Sequence, residues 1–243
     1  MPDKKPELVV ALDIPDKVEA FNLAQKIADY PVILKIHWVL YPLIGHDGLK
    51  QIAEMYEGRI FLDFKLHDIP SVVSHGVRNL MNTVPFRIMN LHASGGMEMI
   101  SQAVKTRDEV FESGCECNIR PEILAVTIVT SLGDGDLSSI GSRFDNTLDA
   151  VLELSGLAKN AGTDGVVASV HETKPIKEKY GSEFKVLTPG IRPEGFAKQD
   201  QARVATPSRA REMGSDYIVV GRPVTKSDDP KSVVEQILHE LNG

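Results

Sequence analysis

Cysteine is almost missing from this chain: two residues in 243, Cys115 and Cys117, with one residue between them. That spacing suits neither a disulfide framework, nor a zinc knuckle, nor a CxxC redox pair, so both read as incidental thiols of a reducing, cytoplasmic compartment. Long apolar runs are missing too. No segment approaches the ~18 residues of a membrane span. The start, "MPDKKPELVV", has neither the apolar stretch nor the small-residue cleavage site of a secretory signal. Positive charge is in deficit, with 27 Lys and Arg against 34 Asp and Glu and a formal net charge of -7. A general nucleic-acid binder needs a basic surface to displace counterions, so that class is excluded, whereas a locally basic pocket for a small anion is not. Repeats, low-complexity tracts and Pro/Gly/Ser linkers are absent as well. The chain therefore reads as one domain over residues 1–243.

What is present is alternation. Short β-rich runs, "ELVVALDI", "VILKIHWVL", "RIFLDFKL", "FRIMNLHA", "ILAVTIVTS", "GVVASV", "FKVLTPGI" and "YIVVGRP", are separated by amphipathic stretches. Among the latter are "DKVEAFNLAQKIADY", "SVVSHGVRNLMNT", "NTLDAVLELSGLAKNAG" and the closing "DDPKSVVEQILHELNG", bracketed by an Asp cap, a Pro and a terminal Gly. Eight βα units in this length predict an α/β fold of the (β/α)8 TIM-barrel type. A doubly wound open sheet is the alternative, but no GxGxxG phosphate fingerprint follows the first strand.

Strand parity adds a site. Side chains alternate faces with period two. In the third strand Ile60, Leu62, Phe64 and Leu66 share an apolar face, opposite Phe61, Asp63, Lys65 and His67. In the first, Leu8, Val10, Leu12 and Ile14 lie on one side and Asp13 closes the other; in the second, Val32, Leu34, Ile36 and Trp38 oppose Ile33, Lys35 and His37. Asp13, Lys35, Asp63 and Lys65 thus point inward near the C-terminal strand ends, where barrel enzymes keep their active sites. Their charges sum to zero, and alternating signs let each ion be held by its neighbours. Burying four charges for stability alone is neutral or worse, so the set reads as preorganised electrostatics with Lys65 as proton donor rather than an inert brace. At the eighth strand "VVGRP" puts Gly221 and Arg222 at the customary barrel phosphate position, where a backbone N–H and a guanidinium hold phosphate by charge-assisted bonds.

"LDFKLHDIP" resembles the Asp-x-Lys-x-x-Asp-Ile-Pro signature of the orotidine 5'-phosphate decarboxylases. "VVALD", "LKI", "LHASGG", "LTPGIRP" and "YIVVGRPVT" resemble that family's other blocks, in the family's order and over nearly the whole chain. The resemblance implies cofactor-free, metal-free decarboxylation of orotidine 5'-phosphate to uridine 5'-phosphate, the last step of de novo pyrimidine nucleotide synthesis, by a homodimer with shared active sites. By the same carry-over Lys65 delivers a proton to C6 of the pyrimidine, Asp63 faces the substrate carboxylate, and Lys35 contacts ribose and orders the carboxylates. Asp13 bonds a ribose hydroxyl, while Asp68 and Ile69 reach into the neighbouring subunit's site. Pro189 touches the base with Arg192 nearby, Gln201 bridges phosphate and pyrimidine, and Thr130 contacts the pyrimidine with Ser131 as competitor. "TPGIRPEGFAKQDQARVATP" fits a lid over the substrate. Because the chemistry leaves a carbanion without an electron sink, lowering its barrier by on the order of 20 kcal/mol needs remote binding energy as well as local charge.

Two positions depart from the family pattern. Val72 stands where a threonine is common, which puts one hydroxyl contact from the partner in doubt, and His37 stands where glycine is usual. His37 either fills the lumen or lies beside the ligand. His92 and His171 read as structural hydrogen-bonders, since no second ligand sits at metal-like spacing. "HASGG" is expected to shape the turn after the fourth strand. Two other readings compete: a metal-dependent sugar-phosphate decarboxylase or aldolase on the same scaffold, and a silent barrel that binds nucleotides as a regulator. The former carries Ala-Asp-x-Gly-like residues after the core motif rather than His-Asp-Ile-Pro; the latter has no use for a buried lysine flanked by acids.

Overall fold

A computed structural model describes residues 5–194 and 205–242. Eight parallel strands close into a barrel in chain order, with β1 hydrogen-bonded to both β2 and β8. They are β1 (Glu7–Ala11), β2 (Ile33–His37), β3 (Ile60–Leu66), β4 (Ile88–His92), β5 (Glu122–Val126), β6 (Gly165–Val167), β7 (Lys185–Thr188) and β8 (Tyr217–Val220). Helices α1 (Lys17–Ile27), α2 (Tyr41–Met55), α3 (Pro70–Met81), α4 (Gly96–Ser113), α5 (Thr147–Asn160), α6 (Val170–Tyr180) and α7 (Pro207–Glu212) follow the first seven strands, and α8 (Arg222–Thr225) and α9 (Pro230–Asn242) the last.

Local chemistry sets these boundaries. Asp16 and Asn146 start α1 and α5 by accepting the backbone N–H groups of Glu19 and Asp149, each at 2.9 Å, donors a helix cannot satisfy internally. Pro70 and Pro230 begin α3 and α9, where a missing N–H costs nothing. The predicted "HASGG" turn is a short 3-10 segment, Ala93–Gly95, after which Gly96 takes φ 86° to open α4. At Gly165 a side chain would meet the Lys185 carbonyl oxygen at 2.2 Å, so β6 and β7 approach as they do only with glycine there.

Parity separates two cores. Leu8, Val10, Leu12, Leu34, Ile36, Ile60, Leu62 and Ile218 pack outward under the helices, whereas Val9, Ala11, Ile33, Phe61, Ile88, Leu124, Leu187, Tyr217 and Val219 fill the barrel. The inward face also carries a charged layer at the strand starts. Arg87 donates two 2.6 Å hydrogen bonds to Glu7, Lys185 pairs with Glu122, and the Tyr217 hydroxyl donates to Glu122 at 3.0 Å. This plug seals the N-terminal end and leaves the C-terminal mouth as the open one.

The third strand is irregular. From Leu62 to Leu66 it advances four residues while β4 advances two, Met89 to Leu91. Inside this bulge Lys65 has φ 48°, a left-handed conformation that costs a non-glycine residue roughly 1–3 kcal/mol. Here one parity expectation fails. His67, expected on the lumen face, is exposed past the end of β3, its ring 5.5 Å from that of His92.

Candidate active site

The eight strands bring their C-terminal ends together around a cavity of about 570 Å³, within the usual range for a small-molecule site. On one side Asp13, Lys35, His37, Asp63, Lys65 and Asn90 line it. Lys35 Nζ lies 2.9 Å from Asp13 Oδ1 and 2.8 Å from Asp63 Oδ2; Lys65 Nζ lies 2.5 Å from Asp63 Oδ1. The charges therefore form a continuous chain, Asp13–Lys35–Asp63–Lys65, in which no member is buried without a counter-ion.

Burial alone would favour the neutral form of Asp63 and is the largest single influence on it. Lys35 and Lys65 together outweigh it and hold the carboxyl far below the usual carboxylate range. Lys35 shows the mirror image: burial opposes its charge, yet Asp63 and Asp13 raise its pKa above that of a free lysine. Both therefore stay ionised through the neutral range. His37 is pushed the other way, by burial first and then by Lys35 and Lys65, so its imidazole is held neutral beside the two ammonium groups. Burial and the neighbouring His67 and Lys65 likewise lower His92.

The rest of the lining, from β5 to β8, sets hydroxyls and cations among apolar side chains such as Ile128, Val167 and Leu187. Thr130 and Ser131, beyond β5, both line it, so position alone does not choose between them. Pro189, Gly190 and Arg192 follow β7, and the buried Arg192 donates from Nη1 to the Ile191 carbonyl at 2.9 Å. Gly221, Arg222, Thr225 and Lys226 follow β8. Cations thus gather at this end of an acidic protein, as a phosphate subsite requires.

Of the residues singled out from sequence, Asp13, Lys35, Asp63, Lys65, Thr130, Pro189, Arg192, Gly221 and Arg222 all line this one cavity. Asp68 and Ile69 do not. Asp68 is exposed and accepts the Ile69 N–H at 2.7 Å, and Ile69 is 62% exposed, so within one chain the pair faces outward. Gln201 and the middle of the expected lid, 195–204, lie outside the described residues. His92 and His171 are not the hydrogen-bonders expected. Neither ring bonds another described residue; His92 lies against His67, and His171 is exposed on α6. Both cysteines are free thiols, and burial pushes Cys117 up to about 12, leaving it unreactive.

Sequence reasoning missed Asn90, Thr225 and Lys226. Asn90 shared the inward parity of Ile88 in "FRIMNLHA", and a buried amide among apolar neighbours was the available signal. Thr225 ends the single-turn α8 and Lys226 follows it, and both line the cavity.

The chain is similar to known proteins over most of its length. The family model described as Orotidine 5'-phosphate decarboxylase / HUMPS matches residues 6–237. A relative named orotidine 5'-phosphate decarboxylase from Legionella pneumophila (strain Lens) is 40% identical over 237 residues, 97% of this chain and 99% of the relative. One of the same name from Idiomarina loihiensis is 41% identical over 236 residues, covering 97% and 98%. Among solved structures, orotidine 5'-phosphate decarboxylase from Lactobacillus acidophilus superposes with a TM-score of 0.84 at 35% identity, covering 98% of this chain and 100% of that one.

Proposed function

The chain belongs to the orotidine 5'-phosphate decarboxylase / HUMPS family, and from that premise we propose how its own residues convert orotidine 5'-phosphate to uridine 5'-phosphate. That reaction is the decarboxylation closing pyrimidine nucleotide synthesis, and its substrate is a pyrimidine nucleotide monophosphate. The observation that carries the mechanism is the Asp13–Lys35–Asp63–Lys65 chain, opening into a cavity whose rim also holds Arg222 and Gly221.

Arg222 and the Gly221 N–H take the phosphate, with Thr225 and Lys226 beside them. Asp13 and Lys35 hold the ribose, and Thr130, Pro189 and Arg192 the pyrimidine. The substrate carboxylate then meets Asp63, which its lysine neighbours keep negative, so like charges face one another in the ground state. Breaking the C6–carboxyl bond releases carbon dioxide and leaves the electron pair on C6. The Lys65 ammonium stabilises that charge, gives C6 its proton, and is reprotonated from solvent. No electron sink is required, because the stabilising cation is built into the strand. Conversion of orotidine 5'-phosphate to uridine 5'-phosphate and carbon dioxide, followed by chromatography beside a panel of sugar phosphates, tests this reading. Turnover of a sugar phosphate but not of the nucleotide would replace it with the aldolase alternative.

The site is completed across a homodimer. Asp68 and Ile69 face away from their own cavity, and the exposed Trp38, Leu43, Ile69, Val72 and Met97 all follow β2, β3 or β4 at the same end of the barrel. Apolar side chains gathered there favour a second copy of the chain, which would receive Asp68 in its own site. None of the described helices is long and apolar enough to cross a membrane, and the cytoplasm is the compartment that fits two free thiols and this substrate.

Arg222→Ala is expected to raise KM by one to two orders of magnitude and to lower kcat less, because phosphate binding energy is spent partly on organising the site. With a phosphate-free substrate, added phosphite should activate the wild type more strongly than the variant. Equal activation of both would remove Arg222 from the phosphate subsite.

A further inference from the structure

The geometry points to Asn90 as a positioning residue for the decarboxylation, holding the bulge that aims Lys65 and fixing the oxygen of Asp63 on which Lys65 rests. It rests on the functional reading above. Asn90 is almost fully buried on β4, facing the site from the strand beside the bulge. Its carboxamide divides its two ends between the catalytic pair: Oδ1 accepts the backbone N–H of Lys65 at 2.8 Å, and Nδ2 donates to Asp63 Oδ1 at 2.7 Å.

The bulge explains why such a residue is needed. Where β3 runs four residues against two of β4, ladder pairing between Leu62 and Leu66 is interrupted, and the Lys65 N–H must find its acceptor elsewhere. Asn90 lies between Met89 and Leu91, the two β4 residues that flank the interruption, and its side chain supplies that acceptor. The same bond braces Lys65 in its left-handed conformation, which nothing intrinsic to a lysine favours. At the other end, the amide hydrogen bond and the Lys65 ammonium converge on one oxygen, Asp63 Oδ1, while Lys35 takes the other. Rotation of the carboxylate is thereby blocked, and the distance from Asp63 to the substrate carboxylate is fixed before substrate arrives.

Two variants separate the two bonds. Asn90→Ala removes both; Asn90→Asp keeps an acceptor for the Lys65 N–H but sets a carboxyl oxygen against Asp63. Uridine 5'-phosphate binding by calorimetry counts competent sites, steady-state kinetics gives kcat per site, and hydrogen exchange reads the Lys65 amide. For both variants kcat per site should fall at least 30-fold while uridine 5'-phosphate affinity stays within about threefold. The Lys65 amide should exchange at least tenfold faster in Asn90→Ala and stay protected in Asn90→Asp. If Asn90→Ala does not bind the nucleotide, Asn90→Asp decides by the same criterion. A kcat per site within threefold of wild type overturns the proposal, and so does failure of both variants to bind, which would make Asn90 a requirement of folding only. A wild type inactive on orotidine 5'-phosphate would instead overturn the functional reading itself.

Discussion

Replacing Lys65 with alanine is expected to lower kcat by at least about 10³-fold, ~4 kcal/mol of barrier, while uridine 5'-phosphate affinity changes less than about tenfold. The asymmetry follows from the geometry. Without Lys65, Asp63 still accepts Lys35 at 2.8 Å and Asn90 at 2.7 Å, so the buried carboxylate keeps a counter-ion and a donor. Arg222 and Gly221, after β8, are untouched. What disappears is the one ammonium assigned to the departing carboxylate's carbon, a group used after the ground state and therefore felt in kcat rather than in binding. A loss of less than tenfold, worth only ~1.4 kcal/mol, would take the proton-donor role away from Lys65.

Mixing two dead proteins is expected to restore activity. Lys65→Ala and Asp68→Ala each lack a group required at every site if Asp68 acts on the partner's cavity. Random subunit exchange makes half the dimers hybrids. Each hybrid then has one site lacking both groups and one with both intact, so about a quarter of all sites regain wild-type turnover. The exposure of Asp68, and its hydrogen bond to Ile69 N–H rather than to anything in its own cavity, is the reason to expect this outcome. If Asp68 folded back onto its own site, each site in the mixture would lack one group and turnover would stay absent. Mass-labelled subunits establish that exchange has occurred.

The barrel was legible because its signals are local. Alternation along "ELVVALDI" and "VILKIHWVL" assigns inner and outer faces correctly, and the Asp cap and Pro of the closing stretch mark the start of α9 at Pro230. Every strand but β3 nevertheless stops short of its run: β1 ends at Ala11 rather than Ile14, and β5 at Val126 rather than Ser131. The chain must leave the barrel wall to reach the next helix, and β propensity does not register that turn. The residues beyond these ends, Asp13 and Thr130 among them, are the ones at the cavity rim.

The lower charged layer is partly open to parity, since Glu7 shares a face with Val9, Glu122 with Leu124 and Lys185 with Leu187, whereas Arg87 lies before β4 and out of phase with the inward Ile88. The bulge was not legible. It arises from a mismatch between two strands distant in sequence, and "LDFKLH" alone reads as unbroken alternation. For that reason the sequence misplaces His67 and hides what Asn90 does for Lys65, although the inward parity of Asn90, like that of Asp63 and Lys65, is readable.

A strand-borne lysine between carboxylates is expected to decarboxylate the nucleotide without a bound metal or organic cofactor. Ultraviolet monitoring of orotidine 5'-phosphate consumption by wild-type enzyme after exhaustive chelation tests it most directly. The expected rate equals that of the untreated enzyme and is unchanged when divalent metal is returned. Loss of turnover on chelation, restored by magnesium, would contradict it.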